Sequence, residues 1–210
     1  TQPVIRQAFV GRSEGIVDEI SFERKLYVIR KVIERRIGQM DEVTRSHFYI
    51  PSFSSNKVVY KGLLIGTQLE SFYPDLSDSG VVSAFALVHA RFSTNTLGSW
   101  RLAHPYRLVS HNGEINTLQG NINWMTAREG MLSSDFFGED IEKLFPIIVP
   151  GASDTAAFDN TLELLLATGR SLPHALMMMI PEATGEHVEL SKSKRDFYEY
   201  HACLMEPWDG

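Results

Sequence analysis

The apolar side chains of this sequence follow two different periods, and the two periods occur in separate blocks. Between residues 18 and 37, Leu26, Ile29, Val32, Ile33 and Ile37 recur at helical spacing, while Glu23, Arg24, Arg30, Lys31, Glu34, Arg35 and Arg36 fill the rest of the turn. That pattern predicts an amphipathic helix with its charged face in water. Asp18 or Ser21 supplies a cap at its start, and Gly38 follows its end. Residues 47–53 and 57–65 switch to β-branched and aromatic side chains around Ser54, Ser55 and Asn56, which predicts two strands and a turn. A short helical turn over 67–72 and a loop over 75–80 come next. Residues 82–93 predict a mostly buried strand. Residues 106–117 predict two short strands around Asn112-Gly113, a strong hairpin dipeptide. Helical patterns return over 118–132, 154–167 and 172–180, with Gly169 and Pro181 as stops and a mixed stretch over 133–153. After a polar segment, 196–205 predicts a last strand. Strands come in pairs and helices come in pairs, which argues for α+β layering with antiparallel strands and against strict βαβ alternation.

Composition narrows the chemistry. A chain of 210 residues, 43% of them hydrophobic, is long enough to bury a sizeable core as one domain. It has one cysteine, Cys203, which excludes a disulfide framework and a zinc site built on several thiolates. The net charge of −6 argues against a nucleic-acid partner. No apolar run reaches the roughly 18 residues of a helical membrane span, so a soluble, cytoplasmic protein is expected. Neither GxGxxG nor GxxxxGK[ST] occurs. The sequence opens on Thr1-Gln2-Pro3 and stops at Trp208-Asp209-Gly210, and is expected to be a piece of something longer.

Three clusters set polar groups among apolar ones. The first is His89-Ala90-Arg91-Phe92-Ser93-Thr94-Asn95-Thr96. An arginine at a buried strand end needs an anion, either an internal Asp or Glu or a ligand carboxylate gripped by its planar fork. The second is His111-Asn112-Gly113-Glu114-Ile115-Asn116, open to reading as a plain turn or as an oxyanion hole of side-chain and backbone N–H groups. The third is Gly151-Ala152-Ser153-Asp154-Thr155, where Ser153 or Asp154 is a helix N-cap or Asp154 meets a substrate ammonium. His89, His104 and His111 match no metal-ligand spacing. Met177, Met178 and Met179 read as core filler on a helix, and Cys203 as a buried, inert thiol on a strand.

Taken in order, the three clusters resemble the class II glutamine amidotransferases. Gly120-Asn121-Ile122-Asn123-Trp124 and Leu204-Met205-Glu206-Pro207-Trp208-Asp209-Gly210 narrow the resemblance to the glutaminase domain of the glutamate synthase large subunit, and it runs from about Val4 to the end. The resemblance implies an N-terminal-nucleophile hydrolase fold, a four-layer αββα sandwich, of which residues 1–210 form the central part of a single domain. It implies that Arg91 grips the α-carboxylate of L-glutamine, that Thr94 lines that end, and that Asp154 holds the α-ammonium. Asn112 and Gly113 then form the oxyanion hole. An N-terminal cysteine attacks the amide, and ammonia passes to synthase domains of the same chain. FMN and an iron–sulfur cluster belong to those domains. The electrons come from a small NADPH-oxidising subunit or from ferredoxin.

The sequence departs from the family at its most reactive position. Cys203 matches a late segment, and residues 2–7 resemble an internal stretch, so the nucleophile is expected outside this chain and the 210 residues alone are expected to be inactive. Two other readings fit the same residues: a glutamine-binding or regulatory module without catalysis, and a different class II amidotransferase.

Overall fold

The computed structural model describes residues 2–90, 98–183 and 189–210. Its backbone packing separates into two compact units, Thr1–Asn112 and Gly113–Gly210.

In the first unit the expected amphipathic helix is α1 (Glu19–Gly38), capped by Asp18, which accepts the Ser21 N–H at 2.8 Å. A short α2 (Glu42–His47) is capped the same way by Asp41. The turn before Tyr73 forms as a 3₁₀ turn at Gly66–Gln68 running into α3 (Leu69–Phe72). Phe22, Leu26, Tyr27 and Val28 bury the apolar side of α1.

The charged face of α1 is not simply solvated, and here the expectation from sequence is corrected. Arg30 is 1% exposed and Lys31 4%. Glu34, one turn after Arg30, accepts from its guanidinium at 2.8 Å and from Arg107 at 3.2 Å. Arg107 also donates to the Ile50 carbonyl at 2.6 Å. The segments around residues 50 and 107 therefore cover this face, and its charges survive burial because they are paired. Burial pushes the Glu34 carboxyl up, but Arg30, Arg107 and Lys31 together outweigh it and hold the group below its ordinary value. Earlier on α1, Glu23 accepts from the Ser55 N–H at 2.6 Å and the Ser54 hydroxyl at 2.7 Å, which fastens the expected 54–56 turn to the helix. Its carboxyl is also lowered: burial opposes the shift, and the Ser55, Ser54 and Lys57 contacts exceed it.

Among the described residues there is no strand. The stretches expected as strands over 47–53, 57–65, 82–93 and 106–117 run as irregular chain where they are described, apart from His47 at the end of α2, and the αββα sandwich is not formed by them. β-branched and aromatic residues favour a pleated surface only when other segments supply the packing and the ladder. Here Val82 and Phe85 remain 87% and 77% exposed. The Asn112-Gly113 hairpin turn is absent too. A type I′ turn needs positive φ at both central residues, and neither of these two has it.

The second unit holds α4 (Leu118–Glu129), α5 (Asp154–Ala167), α6 (Leu172–Met179) and α7 (Lys192–Ala202). α5 packs against α4 and α6, and α6 packs against α7. Ser153 caps α5 by accepting the Ala156 N–H at 3.2 Å. At the other end Gly169 has φ +92°. Its N–H donates to the Leu166 carbonyl, and the Arg170 N–H donates back to Leu165. This is a Schellman end, which favours glycine at the left-handed position. Ala157, Leu162 and Leu164 of α5, Ala175 and Met179 of α6, and Leu144 and Ile147 between helices make the core. Met178 is buried as well, as expected of core filler. Helix side chains serve the mixed stretch over 133–153: Glu129 accepts from the Ile147 N–H at 2.7 Å and Asn160 from the Val149 N–H at 3.1 Å.

The strand expected over 196–205 is instead helix α7 and its exit. The helix begins before that window. Ser191 caps it, and Lys192 pairs with Asp196 at 2.6 Å, four residues on. Phe197 and His201, also four apart, turn one face toward His174 of α6, and the two imidazole Nε2 atoms lie 3.0 Å apart. Cys203 is the C-cap of this helix and is exposed, not buried on a strand.

Two outcomes follow for stability. Leu162→Ala should lower the unfolding free energy by about 2–5 kcal/mol in urea titrations, because it opens a cavity in the α5 core. Glu23 and Glu34 have folded values below their unfolded ones, so their stabilisation is present above about pH 4.5 and is lost as pH falls through the lower folded values. Glu34→Gln should cost about 3 kcal/mol at neutral pH by stranding buried guanidinium charge. It should also flatten the acid limb of the stability profile.

Candidate functional site

The sequence singles out Arg91, Thr94, Asn112, Gly113 and Asp154. Arg91 and Thr94 lie outside the described residues. Asn112 is the last residue of the first unit and is exposed. In that unit His89 and His104 stack at 4.4 Å, with Tyr106 edge-on to His104. Gly113 and Asp154 belong to the second unit, and the structure ties their neighbourhoods together there.

Asp154 is the first residue of α5 and half-buried. Since Ser153 performs the capping, the Asp154 carboxylate is left for other donors. One oxygen accepts the Ile115 N–H at 3.1 Å, and the other accepts the Thr155 N–H at 2.7 Å. The Thr155 hydroxyl also donates, at 3.3 Å; a carboxylate has about four lone-pair sites, so these three donors orient the group and leave capacity for an ammonium. Its position in the first turn of a helix also favours negative charge. The Ile115 bond sets Asp154 two residues from Gly113.

Residues 115–117 are held from a second side by the C-terminal segment. The Asp209 carbonyl accepts from Asn116 N–H at 2.8 Å and Thr117 N–H at 3.1 Å. The Thr117 hydroxyl accepts the Asp209 N–H at 3.0 Å and donates to Asn121 Oδ1 at 2.7 Å. Asn121, 1% exposed, donates to the Pro207 carbonyl at 3.0 Å. Glu206 pairs with Arg128 of α4. Trp208 is 3% exposed; its backbone N–H donates to the Met179 carbonyl at 2.8 Å, and its ring meets Phe158 edge-on at 5.5 Å. Gly210 runs so close to residues 114 and 115 that a Cβ there would overlap the Glu114 carbonyl. Each residue from 206 to 210 therefore has its own partner on α4, in the α5–α6 core or on the 114–117 loop.

Thr117, Asn121 and Asp209 do not stand out as site residues in the sequence. Asn121 and Asp209 lie within the two motifs that narrow the resemblance, but no spacing along the chain says that residues 117–121 meet residues 207–209. Among the described residues no group of three or more His, Cys, Asp or Glu side chains is arranged to hold a metal ion. No helix among them is long and apolar enough to cross a membrane.

Comparison with known proteins agrees with the motifs. The sequence model for glutamine amidotransferases class-II matches residues 1–210. The chain is 54% identical over 208 residues to the glutamate synthase [NADPH] large chain of Bacillus subtilis, covering 99% of this chain and 13% of that protein. It is 51% identical to the glutamate synthase [NADH] of Schizosaccharomyces pombe, covering 99% of this chain and 10% of the relative. It is 46% identical to the ferredoxin-dependent glutamate synthase of Antithamnion sp., covering all of this chain and 14% of the relative. The chain thus spans about a tenth to a seventh of the length of these relatives. With the family's sequence model matched end to end and half the positions shared with such relatives, the chain belongs to the class II glutamine amidotransferases.

Proposed function

We propose that these residues are the central part of a single cytoplasmic glutaminase domain, which releases ammonia from L-glutamine for glutamate synthesis within a longer glutamate synthase chain. The observation that carries the reading is the half-buried Asp154 carboxylate at the start of α5, oriented by the Ile115 amide beside Gly113. The family membership and the names of the relatives support it.

In this reading glutamine is gripped by its charged head. Arg91 takes the α-carboxylate, Thr94 lines that end, and Asp154 takes the α-ammonium. Two opposite fixed charges fix both position and direction of the zwitterion, so binding energy remote from the amide becomes precise placement of the amide. A cysteine thiolate from outside these residues attacks the amide carbon, and the carbonyl oxygen becomes an oxyanion. The Asn112 side-chain amide and the Gly113 backbone N–H donate to it. The cysteine's own α-amino group, which took the thiol proton, gives it to the nitrogen; the C–N bond breaks, ammonia leaves, and water cleaves the thioester to glutamate. The ammonia passes to synthase domains of the same protein.

FMN and an iron–sulfur cluster are assigned to those other domains. With Cys203 as its one cysteine, this chain cannot ligate a cluster by itself. The electron source is a small NADPH-oxidising subunit or ferredoxin; relatives of both the NADPH-type and the ferredoxin-dependent kind match this chain.

Three outcomes test the reading. The purified 210-residue chain should release no glutamate from glutamine; steady release abolished by Thr1→Ala would overturn that. In the full-length enzyme Arg91→Lys should raise KM for glutamine about tenfold, because one of two charge-assisted hydrogen bonds is lost. Asn112→Ala should lower kcat about 100-fold or more with a smaller change in KM, and an unchanged kcat would remove Asn112 from the oxyanion hole.

A further inference from the structure

We infer that Thr117, together with the 207–210 segment it grips, is a positioning residue for Asp154. This rests on the reading of Asp154 as the ammonium partner and names what holds that carboxylate in place.

The hydrogen bonds around Thr117 close a ring. Its one hydroxyl proton goes to Asn121 Oδ1 at 2.7 Å, and its oxygen receives the Asp209 N–H at 3.0 Å. The Asn121 amide continues to the Pro207 carbonyl at 3.0 Å. The Asp209 carbonyl closes the ring by accepting from both Asn116 N–H and Thr117 N–H. Asn121 is buried, so no water replaces its partners at low cost. The ring fixes residues 116 and 117, and the next N–H before them is that of Ile115, which donates to Asp154.

The same short loop is pressed from the other side. Gly210 lies against the Glu114 carbonyl and Ile115 Cα with no room for a side chain. Slack in the ring therefore moves the Ile115 N–H away from the carboxylate, and a side chain at residue 210 pushes it. Either change misaims Asp154 without touching it. Arg128 of α4 and Glu206, which flank the ring on its two segments, pair with each other.

The test uses the full-length enzyme and steady-state glutaminase kinetics. Thr117→Val keeps the shape and removes the hydroxyl. It should raise KM for glutamine about fivefold, the equivalent of one net hydrogen bond, with kcat within about twofold. Thr117→Ser, which keeps the hydroxyl, should return KM close to the parent value. Gly210→Ala, which removes none of the ring's hydrogen-bonding groups, should also raise KM, and decides the matter if Thr117→Val does not fold. Because Thr117 acts through Asp154, its effect should vanish in an Asp154→Asn background. If Asp154→Asn by itself leaves KM unchanged, the ammonium reading fails and this inference with it. If Asp154→Asn raises KM while Thr117→Val and Gly210→Ala lower only the melting temperature, the inference alone fails. It fails in the same way if the Thr117 and Asp154 effects multiply in the double variant.

Discussion

A backbone N–H that is neither in a helix nor in a ladder must still find an acceptor when it is withdrawn from water. In the second unit that requirement organises the non-helical chain. The N–H groups of residues 115, 116 and 117 find theirs on Asp154 and on Asp209, far away in sequence. Those of Ile147 and Val149 find theirs on Glu129 of α4 and Asn160 of α5. The helices supply the core, and their polar side chains also decide where the irregular segments lie. The Gly113 loop is one of these segments, so its position follows from satisfying its neighbours' hydrogen bonds.

The C-terminal five residues show how one short run does several jobs. Trp208 puts a large apolar surface against Phe158 and anchors the run. With that anchor in place, Pro207 and Asp209 on either side present their carbonyls to Asn121 and to residues 116–117. Glu206 reaches back to Arg128. Gly210 has no side chain where one would strike the Glu114 carbonyl. The motif is a packing and hydrogen-bonding element that reaches the loop beside the candidate site.

In the first unit the corresponding constraint is electrostatic. α1 buries Arg30 and Lys31 on the side that a simple amphipathic pattern assigns to water. Glu34 makes this tolerable by meeting Arg30 and Arg107 together, and Arg107 is fixed in turn by the Ile50 carbonyl. Removing charges from water is costly unless geometry and partners compensate, so the helix and the segments around residues 50 and 107 depend on one another.

The helices α1, α4, α5 and α6 were legible in the sequence because their signals are local. Asp18 and Ser153 stand at the starts of α1 and α5, Gly169 at the Schellman end, and each acts within a few residues of its own position. Residues 196–205 resemble a strand only when Ser191 and Lys192 are left out, the residues that start the helix and pair along it. The family was also readable, since motif order is a property of the sequence. What only the tertiary structure decided is everything that depends on a distant partner. The β-rich stretches have residues suited to strands, yet a strand exists only when another segment supplies its hydrogen bonds, and among the described residues none does. The burial of Arg30, the aim of Asp154 and the ring through Thr117, Asn121 and Asp209 likewise join residues whose separation along the chain carries no periodic signal. Capping and helical period are encoded within a few residues, whereas the placement of a buried charge or a loop amide is settled by whatever acceptor the folded chain brings within reach.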